Sequence, residues 1–322
     1  MKILVTGASG LLGSGAARRF AERGDDVVTL QRRPSGVAGA MDILGSVTDP
    51  QAVEQAVRGV DTVLHVAAKV SMMGPASEFE AVNVGGTKTL LAAARAAGVR
   101  RWVQVSSPSV AHAGHSLIGA PAGPADPVRA RGDYARTKAG GELAALAADA
   151  DDFRVLAIRP HLMWGPGDTQ LTERIADRAR KGRMPVLGSG AALVDTLYID
   201  NAVDAAVAAV DRVEQVHGEA LVVTNGEPRP IGELITGIAQ AAGAPAPKLR
   251  IPVAPALVAG AAVEKVWNLK EREDEPPLTR FLAEQLSTAH WFDQRRTREA
   301  LDWRPRISID EGLERLAEHY GH

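Results

Sequence analysis

Tyr134 and Lys138 form the pattern Y-x-x-x-K, a spacing that suits proton transfer to the oxygen of a carbonyl group. Residues four apart share one face of a helix, so the phenol and the ammonium would lie side by side. A free phenol has a pKa of about 10, and a nearby ammonium lowers that pKa because it favours the phenolate. Such a pair is suited to acid/base chemistry, but the pattern in isolation is more typical of ordinary surface residues.

A serine-rich turn at 106–109, Ser-Ser-Pro-Ser, is the second feature that could take part in chemistry. It directly follows the strand-like residues 102–105, which places its hydroxyl groups at the carboxyl edge of a sheet. A serine at this edge can hydrogen-bond the carbonyl oxygen of a substrate alongside Tyr134. Serine and proline are also common in turns without a function, and that alternative applies to any single serine of this segment.

Elements that hold a cofactor beside these residues are predicted at the N-terminus. The strand-like residues 3–6 run into a turn with glycines at positions 7, 10 and 13, and a helical pattern follows over 11–23. The first glycine permits the tight turn, the second lets the backbone approach a pyrophosphate, and the third lets the helix pack on the strand. N–H groups and the dipole at the helix start attract phosphate. This context favours a dinucleotide site over an ordinary turn. We assign five residues to this site: Gly7, Ser9, Gly10, Leu11 and Gly13.

The residues after the second predicted strand, 27–30, indicate which dinucleotide binds. Sites that prefer NAD usually place an acid there for the ribose hydroxyls, whereas this chain continues with Gln31, Arg32 and Arg33. A guanidinium suits a phosphate dianion because its planar fork makes paired, charge-assisted hydrogen bonds. We therefore predict NADP(H) as the cofactor, bound through Arg32 and Arg33. Two solvated surface arginines are the alternative.

Further residues are expected to contact this cofactor. Asp42 follows the next short apolar stretch and could accept a hydrogen bond from adenine, with a turn aspartate as the alternative. The predicted cofactor-binding set is completed by Ile43, Ala67, Pro160, Tyr134 and Lys138, whose amine can reach the nicotinamide ribose. His65 is interpreted as a packed core histidine without a catalytic role.

The elements that must position these residues alternate between strand-like and helix-like runs. Strands are predicted at 27–30, 62–67, 102–105 and 155–158, and helices at 50–58, 79–97 and 134–148. This alternation predicts the α/β class, with a doubly wound parallel sheet (a Rossmann fold) and right-handed crossovers over residues 1–164. Residues 165–322, with helices at 171–181 and 231–242, are assigned mainly to a smaller substrate-binding lobe. The two parts are interleaved, because strand-like runs near 194–225, at 197–200 and 220–224, are expected to return to the sheet or its edge.

Composition excludes several classes of protein and site. The 322 residues are 45% hydrophobic and 24% charged, as in a globular protein, and the net charge of −2 gives no reason to expect a nucleic-acid partner. Without cysteine, disulfides and thiolate catalysis are excluded, and no metal site is predicted. No apolar run is long enough for a membrane span; the run at 253–263 is predicted as a buried helix, with a pocket wall or a lipid-contacting surface as alternatives. The chain enters its first strand directly, so we expect a cytoplasmic location.

Together these motifs resemble the extended short-chain dehydrogenase/reductase family. The resemblance covers essentially the whole chain and includes the glycine turn, the segment 83–87 (Asn-Val-Gly-Gly-Thr), the Ser-Ser turn, Y-x-x-x-K and Arg159-Pro160. It implies that Ser107 is the catalytic serine, because in the family this serine lies three residues before the valine of the turn. It also implies an acid/base role for Tyr134, with Lys138 as the partner that lowers its pKa and binds ribose. Asn83 matches a family position near the active site.

Segments of the second half narrow this resemblance. Pro108-Ser109 stands where sugar-nucleotide dehydratases of the family have acidic residues, which favours simple carbonyl/alcohol redox chemistry. Residues 159–168 look like the 3β-hydroxysteroid dehydrogenase-like branch, and 225–230, 275–280 and 288–293 are similar to bacterial 2-alkyl-3-oxoalkanoate reductases of long-chain olefin biosynthesis. This implies an NADPH-dependent reductase whose substrate is a small apolar keto acid with two alkyl chains. A sterol or steroid 3β-hydroxy dehydrogenase is the nearest alternative, followed by a nucleotide-sugar epimerase and a non-catalytic NADP-binding regulator.

Such a substrate would need an apolar groove and a cation for its carboxylate. The candidates for the groove are the loop 70–74, with Met72 and Met73, and the helix near 253–266; core packing explains the methionines equally well. Arg159 or Lys69 could meet the carboxylate. The resemblance further implies a homodimer formed through the helices at 79–97 and 134–148, and association with other enzymes of a hydrocarbon pathway.

Overall fold

A computed structural model describes residues 1–70, 74–111, 114–269 and 279–322. The first half of the chain contains, in order, β1 (Lys2–Thr6), α1 (Leu11–Glu22), β2 (Asp26–Gln31), β3 (Ala40–Leu44), α2 (Pro50–Ala56), β4 (Thr62–His65), α3 (Ala76–Phe79), a π-helical segment (Glu80–Gly86), α4 (Thr87–Ala96), β5 (Arg101–Val105), a 3₁₀ turn (Pro108–Ala111), β6 (Leu117–Ala120) and α5 (Gly132–Leu146). Strands and helices alternate here as the sequence predicted.

The second half has shorter strands and more helices. In order these are β7 (Arg154–Pro160), β8 (Met163–Trp164), α6 (Thr172–Arg180), β9 (Pro185–Leu187), β10 (Leu193–Val194), β11 (Leu197–Tyr198), α7 (Ile199–Arg212), β12 (Ala220–Val223), β13 (Arg229–Pro230), α8 (Ile231–Ala241), β14 (Leu249–Ile251), α9 (Val253–Leu269), α10 (Arg280–Ser287), β15 (His290–Phe292), α11 (Arg295–Leu301) and α12 (Ile309–His319).

A seven-stranded parallel sheet in the order β12-β7-β5-β4-β1-β2-β3 forms the centre of the fold. Its inner strands are nearly continuous apolar runs because both faces of the sheet are covered by helices. The strand order reverses direction between β1 and β4, and a ligand crevice forms at the carboxyl ends of strands at such a point. The predicted doubly wound Rossmann fold is therefore confirmed.

Two hydrophobic layers hold helices against this sheet. On one face, Phe20 of α1 and Val203 of α7 share a buried cluster with strand residues such as Ile3. On the other face, α2, α4 and α5 pack over Trp102, which is fully buried in a second cluster. α5 belongs to this second layer, and its N-terminal end reaches the carboxyl edge of the sheet.

The strand-like runs near 194–225 follow different routes. The run at 220–224 returns to the central sheet as β12, parallel to β7, as expected. The run at 197–200 does not return there: β11 pairs with β8 in a separate two-stranded sheet, and the helix α7 begins at Ile199. This part of the prediction is wrong because the alanine-rich residues that follow form a helix that packs against α1. A four-stranded sheet, β13-β10-β15-β6, lies outside the central sheet.

Helix α9 contains the apolar run that was expected to be buried. It is a helix, but Val258 is 71% exposed and Val266 is 43% exposed, so the prediction of burial is wrong. The most buried positions of α9 are small: Ala256 is buried, and a Cβ on Gly260 would lie 2.7 Å from the backbone nitrogen of Arg280 in α10. Leu257 is partly buried against the same cluster, whereas Val258 and Val266 stay outside it. Among the described helices, none is long and apolar enough to cross a membrane.

Candidate active site

The glycine turn lies at the reversal point of the sheet, between β1 and α1. Gly7 has φ +73°, and a Cβ there would lie 2.9 Å from the backbone of Ala67, so the turn and the close approach both require glycine. A Cβ on Gly13 would lie 2.5 Å from the carbonyl oxygen of Gly7, which explains how α1 packs so near the strand. Gly10 caps α1 without a side-chain hydrogen bond, which leaves the N–H groups of the first turn available to a phosphate. The backbone shape therefore fits a dinucleotide.

The side chains expected around the cofactor lie along this edge of the sheet. Ser9 and Gly10 are exposed in the turn, Leu11 is half-buried, and Pro160 ends the buried strand β7. Ala67 follows β4, and its N–H donates to the hydroxyl of Thr6 at 3.0 Å. Ala67 can therefore contact a cofactor through its side chain, while its amide is already used within the protein. Their roles in cofactor binding remain predictions.

The end of β2 presents two free cations. Arg32 and Arg33 are exposed, and within the described residues no hydrogen bond or ion pair holds either guanidinium. Asp42 organises the turn beside them, because its carboxylate accepts hydrogen bonds from Thr29 Oγ1 at 2.5 Å and from the N–H of Ser35 at 2.9 Å. Burial alone would raise the pKa of Asp42, but these bonds outweigh it and lower the pKa. Ile43, the next residue, is buried.

The predicted chemical residues meet at the carboxyl end of β5. The side chains of Tyr134 and Ser107 lie next to each other, and the hydroxyl of Ser107 acts to lower the pKa of the phenol. Ser109 fixes Ser107, because its hydroxyl donates to Ser107 Oγ at 2.9 Å and its N–H does so at 3.3 Å. Since both of these bonds use the lone pairs of Ser107 Oγ, this hydroxyl can act toward Tyr134 or a substrate oxygen only as a donor. This geometry brings together the two residues that the sequence separated by a long segment.

Lys138 lies on the same face of α5, one turn after Tyr134. It is 5% exposed, and its Nζ donates to the carbonyl oxygen of Val105 at 2.6 Å. Burial lowers the pKa of Lys138 to about 8, opposed by the charge of Glu142. Burial raises the pKa of Tyr134, opposed by the hydrogen bond to Ser107. In this arrangement burial outweighs the lowering of the phenol pKa by neighbouring groups, and the lowering by Lys138 stays a prediction.

Asn83 lies in the π-helical segment, next to the active site as the resemblance implied. Its Oδ1 accepts from the N–H of Lys69 at 2.8 Å, and its Nδ2 donates to the carbonyl of Lys69 at 3.2 Å and to Thr137 Oγ1 at 3.0 Å. Thr137 stands inside the Y-x-x-x-K motif. Asn83 is 3% exposed and its side-chain groups are occupied in these bonds, so it ties the loop after β4 to the helix that carries Tyr134.

The two cations considered for a substrate carboxylate differ in availability. Arg159 is 1% exposed; its Nε donates to Glu142 at 2.8 Å, its Nη2 to the same carboxylate at 2.5 Å, and its Nη1 to the carbonyls of Ala122 and Gly123. Arg159 is therefore closed to substrate, and that prediction is wrong. The Nζ of Lys69 pairs with Glu78 at 2.6 Å, and its side chain remains partly exposed. Met72, Met73 and the motif residues 275–278 lie outside the described residues.

Sequence reasoning missed several residues that shape the site. Ser109 and Thr137 could have been noticed, because each lies inside a motif that was already singled out. Thr87 could have been noticed for the same reason, because it closes the segment 83–87. Glu142 carries no such signal, since its partner Arg159 lies 17 residues further along the chain. His65 was interpreted as a core residue, and it is 1% exposed with a pKa lowered to about 3 by burial and by the charge of Lys138.

Comparisons with known proteins identify the family of this chain. Residues 3–224 match the NAD dependent epimerase/dehydratase family. The chain is 43% identical to the 2-alkyl-3-oxoalkanoate reductase of Stenotrophomonas maltophilia, with 98% of each protein covered. It is 30% identical to the 3 beta-hydroxysteroid dehydrogenase/Delta 5-->4-isomerase of Mycobacterium tuberculosis, covering 99% of this chain and 90% of that protein.

Among solved structures, MoeE5 in complex with UDP-glucose and NAD has the same fold. The two superpose with a TM-score of 0.76 at 22% identity, and the match covers 99% of this chain and 98% of MoeE5. The family match spans the glycine turn, the serine turn and the Y-x-x-x-K helix, and the predicted resemblance to extended short-chain dehydrogenases/reductases of the 3β-hydroxysteroid dehydrogenase-like branch is confirmed. The chain belongs to the NAD dependent epimerase/dehydratase family.

Proposed function

We propose that the protein is an NADPH-dependent reductase that converts a 2-alkyl-3-oxoalkanoate into the corresponding 2-alkyl-3-hydroxyalkanoate. The observation that carries the chemistry is the juxtaposition of Tyr134 and Ser107 beside the buried Lys138. The substrate class is supported by the full-length similarity to the Stenotrophomonas maltophilia reductase. A steroid 3β-hydroxy dehydrogenase is the second candidate, favoured by the weaker similarity to the Mycobacterium tuberculosis enzyme.

In this proposal Tyr134 and Ser107 act on the ketone oxygen of the substrate. A bound nicotinamide supplies the hydride that reaches C3. Tyr134 donates its proton to the oxygen on which negative charge develops, and burial of the phenol keeps that proton in place at neutral pH because the pKa is raised. Ser107 donates a hydrogen bond to the same oxygen from a position fixed by Ser109. The products are the alcohol, the oxidised cofactor and a tyrosinate that must regain a proton.

Lys138, one helical turn after Tyr134 on α5, would stabilise the charge that forms on the phenol in this step. Its Nζ lies in a buried position with a carbonyl partner, so its ammonium has a defined direction and can reach a cofactor ribose. As the tyrosinate forms, an ammonium nearby stabilises it more strongly than water would, because the site is buried. Asn83, through Thr137, holds the helix turn between Tyr134 and Lys138 in register.

NADPH is proposed as the cofactor because the residues at the end of β2 favour a phosphate over a free hydroxyl. Gln31 stands where a carboxylate would accept from a ribose, and its amide donates to Asp42 at 3.2 Å. Arg32 and Arg33 follow it with free guanidinium groups, which can pair with the phosphate on the adenosine ribose. Residues 1–164, joined by segments near 194–225, would hold this cofactor, and 165–322 would form most of the substrate lobe.

The experiment that tests this proposal is NADPH and NADH oxidation with purified protein against three substrate classes. A 2-alkyl-3-oxoalkanoate should be reduced with NADPH, and mass spectrometry should show a product acid with two more hydrogens than the substrate. Keto-sterols and UDP-sugars serve as the other two classes. Turnover restricted to keto-sterols would favour the second candidate, and turnover restricted to UDP-sugars would favour an epimerase. NADPH binding without turnover of any class would favour the non-catalytic regulator.

Homodimerisation through α4 and α5 and association with enzymes of a hydrocarbon pathway belong to the same proposal. Ala92 of α4 and Leu143 of α5 are exposed on the outer layer, where a second copy could pack. Light scattering of the wild type and of a Leu143→Glu variant tests the dimer, which the charged residue should weaken. The cytoplasmic location stays a prediction.

A further inference from the structure

A chain of buried hydrogen bonds begins at the residue before the glycine turn. Thr6 immediately precedes Gly7 and is fully buried. Its Oγ1 accepts from the N–H groups of Val66 at 3.1 Å and Ala67 at 3.0 Å, and it lies 2.8 Å from Nδ1 of His65. Ala67 in turn contacts the backbone of Gly7, as the close approach at that glycine requires. The dinucleotide-binding turn is thus connected to one nitrogen of the imidazole.

The other nitrogen of the imidazole is connected to the catalytic helix. His65 Nε2 lies 3.0 Å from Thr87 Oγ1, and Thr87 Oγ1 donates to the carbonyl oxygen of Asn83 at 2.8 Å. Asn83 Nδ2 then donates to Oγ1 of Thr137 at 3.0 Å, in the turn of α5 between Tyr134 and Lys138. A Cβ on Gly141 would lie 2.4 Å from the same Asn83 carbonyl, so α5 touches this point directly.

The directions of these hydrogen bonds define the protonation state and the tautomer of His65. Thr87 has one hydroxyl proton and uses it on Asn83, so its oxygen must accept a hydrogen bond from the N–H at His65 Nε2. Nδ1 then carries no proton and accepts from the hydroxyl of Thr6, whose oxygen already receives two backbone N–H groups. The imidazole is neutral, in agreement with a pKa lowered to about 3 by burial. A neutral histidine with a fixed tautomer is suited to holding two elements in place and unsuited to transferring protons near neutral pH.

We propose that His65 is a positioning residue that couples the dinucleotide-binding turn to the catalytic helix α5. Each of its ring nitrogens serves one side of this connection, and the residues on both sides are buried, so no water replaces a lost bond readily. When cofactor binding restricts the motion of the turn at Gly7, the hydrogen bonds of His65 and Thr87 restrict the motion of α5, the helix that carries Tyr134. The kinetic part of this proposal rests on the proposed reductase activity; the exchange measurement below does not.

Two amide replacements separate the two sides of the connection. His65→Asn places an oxygen near the position of Nδ1 and retains the bond to Thr6, whereas His65→Gln can place a donor near Nε2 and retains the bond to Thr87. We expect His65→Asn to bind NADPH as the wild type does and to lose about 10- to 100-fold in kcat, because the catalytic helix loses its support. We expect His65→Gln to keep most of its kcat and to bind NADPH about tenfold more weakly. His65→Phe should show both defects.

Substitutions of threonine provide conservative rescue and a matched control. Thr87→Val removes the hydroxyl at nearly constant volume and should reproduce the kcat defect of His65→Asn, while Thr87→Ser should restore it. Thr89→Val, on the same helix and outside the chain of bonds, should behave as the wild type. A uniform loss of thermal stability in every variant, with kcat and the Kd for NADPH unchanged per folded molecule, would show that His65 is only a core residue.

Hydrogen exchange tests the coupling without any turnover. In the wild type, NADPH should slow amide exchange in α5 as well as at the glycine turn; in His65→Phe and Thr87→Val it should slow exchange at the turn only. Equal protection of α5 in all three proteins would overturn the proposal. If the wild type shows this protection but reduces none of the three substrate classes, the coupling holds and the proposed reductase function fails, so the two failures are distinguishable.

Discussion

Glu142→Gln tests how the catalytic helix is held against the sheet. Glu142 is fully buried on α5, and its carboxylate is paired with Arg159 of β7, which is 1% exposed. The change keeps the size of the side chain and removes its charge. The guanidinium of Arg159 would then remain buried with only the carbonyls of Ala122 and Gly123 as acceptors. The NH₂ group of the new glutamine would face an N–H donor of Arg159.

The expected loss follows from the burial of this pair. Removing one partner of a buried ion pair leaves the other charge uncompensated and costs about 3–5 kcal/mol in the free energy of unfolding. By contrast, Arg136 on the same helix pairs with Glu80 at 3.0 Å and Asp133 at 3.2 Å, and all three side chains are well exposed. Arg136→Gln should therefore cost less than about 1 kcal/mol. Replacing both Glu142 and Arg159 by apolar residues of similar volume should cost less than Glu142→Gln.

Urea unfolding followed by circular dichroism at neutral pH measures these differences. The midpoint of Glu142→Gln should fall while the slope of the transition stays that of the wild type. A loss as small as that of Arg136→Gln would refute the reasoning, because it would mean that Arg159 finds solvent or another partner when Glu142 is neutral. It would also reopen Arg159 as a residue for the substrate carboxylate.

Three further predictions concern the cofactor, the acid and the fold. Arg32→Ala should weaken NADPH binding about tenfold and leave NADH binding unchanged, as measured by cofactor fluorescence; equal effects on both would remove the argument for a bound phosphate. Tyr134→Phe should slow reduction by at least about 10²-fold with the same Kd for NADPH, and a stopped-flow rate equal to the wild type would exclude the phenol as the acid. Burial raises the pKa of Asp195 from 3.8 to about 6, opposed by the hydrogen bond from Thr224. The folded state then holds the proton more tightly, so this stabilisation is full below about pH 4 and is lost as the pH rises to about 6, a change of about 3 kcal/mol that Asp195→Asn should abolish in pH-dependent urea unfolding.

Local patterns in the chain were sufficient to predict the cofactor turn and the central sheet. The glycine spacing, the strand before it and the helix after it are contiguous, so their geometry depends little on distant residues. The same holds for Tyr134 and Lys138, whose shared helix face follows from their spacing. Ser107 was selected by resemblance, and its position beside Tyr134 joins segments that sequence spacing alone does not bring together.

Features that depend on burial and distant contacts were not predictable from the chain alone. The pKa of Tyr134 is raised because the phenol is buried, which spacing to Lys138 does not reveal. Arg159 was a candidate for binding the substrate carboxylate because its spacing in the chain does not reveal its pairing with Glu142. Val258 and Val266 of α9 are exposed because the helix contacts α10 mainly at its small residues, such as Gly260. His65 bonds to Thr6, which is 59 residues away, and to Thr87, which is 22 residues away.

Isotope transfer from the cofactor tests the proposed reaction most directly. NADPH deuterated at the reactive position of its nicotinamide should be mixed with a 2-alkyl-3-oxoalkanoate and the wild-type protein, with Tyr134→Phe as the control. Transfer of one deuterium to C3 of the product acid, visible by mass spectrometry and NMR and lost in the control, is the predicted result. A product without deuterium at C3, or a transfer rate that is the same in Tyr134→Phe, would contradict reduction at this site.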